Sequence, residues 1–320
     1  MALLDFRLAR KAAAPATEPP DAALEELVPS FLQGFSIETL PQVAAKTPSY
    51  QDLVPEGASV YIAFVPGSDW RDIVHVAKRL RHEGLNPVPH VPARTMEGRE
   101  ELERYLGRLS EDAGVTQVLA IGGDVPAPAG EFASTMDMLE TGLFDRFGIR
   151  RIGVAGHPEG YKPIGDAGIM ASIKDKNAFS SRTDADLHIV TQFCFDARTV
   201  IDWDRRLRRA GNHLPIHIGI AGPAKLKSLM HYAALCGVGA SAKVLKRQAF
   251  NMAKLASVSA PDRIVADLAR YKATDPDCGI AQAHFFTFGG LQRAADWLDA
   301  AIKADFTPTQ TGFDVHRDLG

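Results

Sequence analysis

Eight short apolar runs of strand character, alternating with longer stretches of helical period, constrain what this chain can become. They are FSIET (35–39), VYIAFV (60–65), PVPHV (87–91), QVLAIG (117–122), RIGVAG (151–156), HIVTQF (188–193), PIHIGI (215–220) and AHFFTF (283–288). Between them, Ile73, Val76, Ala77 and Leu80 recur at i, i+3, i+4 and i+7, as do Leu102, Tyr105, Leu106 and Leu109, so each segment buries one stripe of a helix. Ser68 and Asp69 stand before the first of these helices and Gly84 after it, as start and stop signals should. Strands alternating with crossover helices build a parallel sheet, and eight such units in 320 residues close most economically into a (β/α)8 TIM barrel. A doubly wound open sheet is the alternative.

Two connections depart from the repeat. Residues 39–59, between the first two runs, carry three prolines and room for only a short helix, so the first crossover should be reduced. Between the seventh and eighth runs lies far more chain than one crossover needs, which implies extra helices before the last strand and a place for a lid or for contacts in a homo-oligomer. Residues 1–30 read as an Ala- and Pro-rich leader, 31–305 as the barrel and 306–320 as a C-terminal tail.

The formal net charge of −3 offers no basic surface on which a nucleic acid would be neutralised. Three cysteines, Cys194, Cys236 and Cys278, are far apart and lack metal-ligand spacing, so free thiols in a reducing compartment are expected. With no signal-like apolar core and no membrane-length apolar run, the expectation is a soluble, cytoplasmic protein with no membrane partner. GVGASA at 237–242 fits a dinucleotide fingerprint but follows a helical stretch rather than a strand, and reads as a helix ending at Gly237 with a new start at Ser241. His188, His213 and His217 lack a ligand set, so no metal is expected and they read as wall or surface residues.

In a barrel, chemistry gathers at the C-terminal ends of the strands. The polar residues there are Glu38, His90, Asp124, His157, Glu159 and Gln192. Each alone could cap a helix or satisfy a turn; their convergence on one rim argues for a site. Glu38 sits among apolar residues in SIETLP, where burial would raise its pKa and suit it to general acid work; a buried ion pair with a basic residue is the other reading.

Ser36, Glu38 and Pro41 (S-x-E-x-x-P), Pro89-His90, GGDVP at 122–126, HPEGY at 157–161, TQFCFD at 191–196 and PIHIGIAGP at 215–223 stand in an order and spacing that resembles the methylenetetrahydrofolate reductase family, over roughly residues 34–300. The resemblance implies a flavoenzyme barrel interconverting 5,10-methylenetetrahydrofolate and 5-methyltetrahydrofolate, with FAD as cofactor and NAD(P)H as the family's electron donor. It implies Glu38 as the general acid and Asp124 between flavin and pterin, with Gln192 and Tyr232 as substrate contacts. His90, Gly122, Gly123, Asp124, His157, Tyr161 and Lys176 would contact the cofactor, Lys176 near its phosphates. The chain departs from the family's pattern at Ala63, Gly122, Gly289 and Gly290, positions that bear on flavin and electron-donor contacts. Alternatives are a flavin-independent folate reductase and a non-catalytic folate-binding barrel; the set of Glu38, Asp124 and Gln192 weighs against the last.

Overall fold

The computed structural model describes residues 23–65, 67–238 and 257–320. Strands β1 (Ser36–Thr39), β2 (Ser59–Ile62), β3 (Asn86–Pro92), β4 (Gln117–Ile121), β5 (Arg151–Gly156), β6 (Asp186–Thr191), β7 (Ile216–Ala221) and β10 (Ile280–Phe286) close into a parallel barrel in the order β1-β10-β7-β6-β5-β4-β3-β2. The open-sheet alternative is thereby set aside, because β1 pairs with both β2 and β10. The reduced first crossover is α2 (Pro41–Ala44), with proline at its first turn. Between β7 and β10 lie α9 (Leu226–Leu235), α10 (Asp262–Thr274) and a small ladder of β8 (Ala224–Lys225) on β9 (Val258–Ser259). Residues 239–256 of that insertion, Ser241 among them, lie outside the described residues.

The helices follow their sequence pattern. In α3 (Trp70–His82) the Asp69 carboxylate accepts the Arg71 amide, and Ile73, Val76, Ala77 and Leu80 form the buried stripe. In α4 (Arg99–Ala113) Leu102, Tyr105, Leu106 and Leu109 do the same. Gly237 follows α9 with φ of +67°, which is the helix ending read from the sequence and excludes a strand-to-helix nucleotide turn. None of the described helices is long and apolar enough to cross a membrane.

The N-terminal end of the chain differs from expectation. The leader was set at 1–30, yet α1 (Leu24–Leu32) buries Leu24, Val28, Phe31 and Leu32 in the core, so its last residues belong to the packed domain. That one apolar face is the cause, since its burial outweighs the proline within the helix. Within the C-terminal tail, β11 (Phe306–Thr309) and β12 (Gly312–Val315) form a hairpin, and Phe313 packs on Trp297 and Phe306. Trp297 lies on α11 (Leu291–Ile302) and donates to half-buried Asp262 at 2.7 Å.

Strand register decides which side chains meet inside the barrel. Ser36 pairs with His284 and Glu38 with both Tyr61 and Phe286, so these residues share the inward parity while Ile37 and Phe285 face the helices. The lumen holds Tyr61, Val88, Leu119 and Val190 as one apolar cluster, together with buried Ser36, His90, Gln117, His188, His217 and His284. His188 and His217 are thus interior residues, 3% exposed each, whereas His213 is at the surface beside Ser180. Gly153 makes the lumen possible: a Cβ there would lie 3.0–3.1 Å from Leu119, Val190 and His188.

Candidate active site

Glu38 ends β1 on the inward face, and its main-chain carbonyl accepts Thr287 Oγ1 at 2.9 Å. Its carboxylate lies 3.3 Å from His90 Nε2 and 3.8 Å from His284 Nε2. Burial pushes the carboxyl up, as the sequence suggested, but His284 and His90 together outweigh it and hold the pKa at about 2. Glu38 is therefore an anion between two imidazoles, and the ion-pair reading left open by the sequence replaces the raised-pKa reading. The second histidine was missed. His284 stands in AHFFTF at the same parity as Phe286, and its Nδ1 meets Ser36 Oγ at 2.9 Å. That bond leaves Nε2 to face Glu38.

On the opposite side of the mouth, the loop after β4 turns at Gly123, whose φ of +92° a β-substituted residue rarely adopts. Arg94 pins this loop to the end of β3, donating to the carbonyls of Val125 and Pro126 at 2.9 and 3.1 Å. Asp124 is exposed, and Tyr161 donates its hydroxyl to Oδ1 at 3.3 Å. Tyr161 in turn stacks on His157, ring centroids 4.9 Å apart and planes 16° from parallel. Burial and the Lys176 cation bring His157 down to about 4, so this imidazole is neutral at physiological pH. Gly122 has open space where a side chain would be.

Lys176, on α7 (Gly165–Phe179), is 4% exposed, and its Nζ hydrogen-bonds Ser172 at 2.9 Å. No carboxylate within ion-pair distance of it is found among the described residues, and burial brings its pKa down to about 8. A buried cation with no carboxylate in ion-pair distance among the described residues, an imidazole–phenol stack and open space over a glycine could together take a flat ring with an anionic tail.

The remaining expected contacts are divided. Gln192, after β6, uses Oε1 to accept the Phe193 amide at 3.1 Å. Tyr232 is beside the mouth, but Phe288 stacks on it at 4.2 Å and 14°, so one ring face is already covered. Phe193, Phe286 and Phe288 continue this aromatic wall, with centroid separations of 4.7–5.6 Å. Cys236 was not singled out by sequence; burial, then Glu38 and Asp124, push its thiol up to about 11, which keeps it protonated near both carboxylates. A separate groove of about 810 Å³ on the outer wall, lined by Trp70, Arg104, Arg108 and Phe147, carries mixed charge and none of these groups.

Among solved structures, the carboxyl transferase domain of Rhizobium etli pyruvate carboxylase with pyruvate is similar at a TM-score of 0.41 and 9% identity. The alignment covers 82% of this chain and 41% of that one, so the chain spans less than half of that structure's length. A family model for methylenetetrahydrofolate reductase matches residues 50–249, a span that holds every expected site residue except Glu38. With more than half of its length matched, this chain belongs to the methylenetetrahydrofolate reductase family.

Proposed function

We propose that this protein interconverts 5,10-methylenetetrahydrofolate and 5-methyltetrahydrofolate with the help of FAD. The carrying observation is the Glu38 anion held between His90 and His284 at the barrel mouth, with Asp124 and Tyr161 on the same rim. Opening the five-membered ring of methylenetetrahydrofolate requires a proton at N10 and leaves a cation at N5. Two imidazoles and a carboxylate form a group that can hold such a proton and pass it on through Glu38. General acid help then comes from the cluster rather than from an isolated protonated carboxyl. Asp124 supplies negative charge for the substrate cation, oriented by the Tyr161 hydroxyl. Gln192 and the wall of Phe286, Phe288 and Tyr232 would receive the pterin and exclude water.

FAD, when bound, would give hydride to, or take it from, the carbon carried on N5. Lys176 would neutralise its diphosphate, and His157, Tyr161 and the open face of Gly122 would receive its rings. The same groups serve both directions by microscopic reversibility, and we favour the methyl-folate oxidising direction because Gly289 and Gly290 bring no side chain to a nicotinamide donor. A flavin-independent reading is second, supported by Ala63 and Gly122, which offer no side-chain hydrogen bond to a flavin. Protein supplied with FAD, 5-methyltetrahydrofolate and a quinone acceptor should form methylenetetrahydrofolate with one acceptor reduced per folate. Turnover that is indifferent to FAD would favour the second reading, and absence of folate turnover in either direction would defeat both.

A further inference from the structure

Below the Glu38 cluster the lumen sets hydrogen-bonded polar side chains beside Val88, Leu119 and Val190, where a barrel of this kind usually packs apolar residues alone. We propose that Tyr61 is a positioning residue for the cluster: its tethered hydroxyl fixes a ring that braces both His284 and His90 toward Glu38. This proposal rests on the folate reading for its catalytic consequence, though not for the bracing itself.

Tyr61 is the register partner of Glu38 on the neighbouring strand and is fully buried. Its ring lies against His284 at 4.5 Å between centroids and meets His90 edge-on at 6.5 Å. The two imidazoles that flank Glu38 therefore share one phenol ring as their floor. That floor matters because the Glu38–His284 separation, 3.8 Å, is longer than a hydrogen bond, so a small rotation of the imidazole decides whether the contact closes.

The hydroxyl is held by a directional chain. Asn86 Nδ2 donates to Gln117 Oε1 at 3.2 Å, and Gln117 Nε2 donates to the Tyr61 oxygen at 3.3 Å. His188 Nε2 lies 3.3 Å from the Tyr61 oxygen, and the neutral imidazole protonated at Nδ1 accepts the Tyr61 O–H there. Every donor in the series has its acceptor, and burial, with the Glu38 charge, keeps the phenol protonated against the pull of Arg151 and the Gln117 hydrogen bond. The His188 ring is supported in turn by His217 at 4.2 Å, and Gly153 gives it room. A residue needed only to fill volume could be Phe or Leu, with no buried hydroxyl to satisfy. The tether is what the column adds.

The test uses the full-length chain with Tyr61→Phe, His188→Leu and His188→Gln. Tyr61→Phe keeps the ring and removes the tether; His188→Leu removes the acceptor; His188→Gln restores one. Long-range proton–nitrogen NMR reads the His284 ring directly, and kcat and KM for folate turnover are followed against pH. The expected result is one His284 tautomer, with Nε2 protonated, in the wild type and in His188→Gln, and mixed signals in the other two. Turnover should fall about tenfold in Tyr61→Phe and His188→Leu, the loss expected of one hydrogen bond, with KM held and the pH profile displaced. Unchanged His284 signals in Tyr61→Phe and His188→Leu overturn the bracing, whatever the activity. Signals that change as expected in a protein without folate turnover uphold the bracing and defeat the functional reading. An equal loss in all three variants, His188→Gln included, overturns the tether and leaves general packing as the role.

Discussion

Lowering the pH from 7 to 5 should destabilise the fold through the two histidines at the base of the lumen. His188 is brought down to about 3 by burial and by Arg151, and His217 to about 2 by burial and by His188, His284 and Arg151. In the unfolded chain both titrate near 6.5, so above that pH neither state gains a proton and neither histidine contributes. Below it the unfolded chain binds protons that the folded lumen refuses, and each histidine costs about 1.4 kcal/mol per pH unit. At pH 5 this is roughly 4 kcal/mol for the pair, a large part of the 5–15 kcal/mol typical of a domain. Asp262 works in the opposite direction: burial raises it from 3.8 to about 6, so its protonation relieves a penalty as the pH falls through 6. That relief is about 1.4 kcal/mol by pH 5. Glu38 does not enter this window, since the stability tied to its lowered pKa is present above 4.5 and is lost only as the pH falls toward 2. His157, brought down to about 4 by burial and Lys176, adds about 2 kcal/mol in the same sense, so the net loss should be roughly 5 kcal/mol. Urea unfolding at a series of pH values measures it, and His217→Leu, which also removes the unpartnered buried Nδ1, should flatten the slope by about one proton. Equal stability at pH 7 and 5, or an unchanged slope in His217→Leu, would refute the reasoning.

Three substitutions probe the mouth. Glu38→Gln should leave folate binding intact and lower turnover by about 10² to 10⁴, checked by steady-state kinetics beside equilibrium binding. Lys176→Met should weaken FAD uptake by about tenfold or more, and in the wild type uptake should decline as the pH rises through about 8, where the buried cation discharges; both are read by fluorescence titration. Asp124→Asn should retain FAD and slow folate turnover; normal turnover in that variant would reduce Asp124 to a partner for Tyr161.

The barrel was legible because its signal is periodic and local: eight strand runs and two helical stripes recur where the structure has them. Gly237 was legible for the same reason, since a helical pattern preceded it. What failed was non-local. The direction of the Glu38 shift depends on His284, which lies at the far end of the chain and meets Ser36 and Glu38 only because β10 closes the barrel. His188 could have been read inward, because it shares parity with Gln192 in HIVTQF, and a residue pointing into the mouth implies others pointing into the lumen two and four positions earlier along the same strand. Gly153 was the matching signal on β5. The stack of Tyr232 on Phe288 likewise joins two segments that no local pattern connects. At the N-terminus, composition concealed a helix because the prolines before it and Pro29 within it outweighed the single apolar stripe of Leu24, Val28, Phe31 and Leu32.

The central claim is that this mouth brings a flavin and a folate together. Its most direct test is the visible spectrum of the purified protein under anaerobic conditions, loaded with FAD and titrated with 5-methyltetrahydrofolate. The oxidised-flavin bands should appear on loading, bleach in proportion to the folate added, and bleach far more slowly in Glu38→Gln. A protein that takes up no FAD, or whose bound flavin keeps its oxidised spectrum in excess methyl-folate, would contradict it.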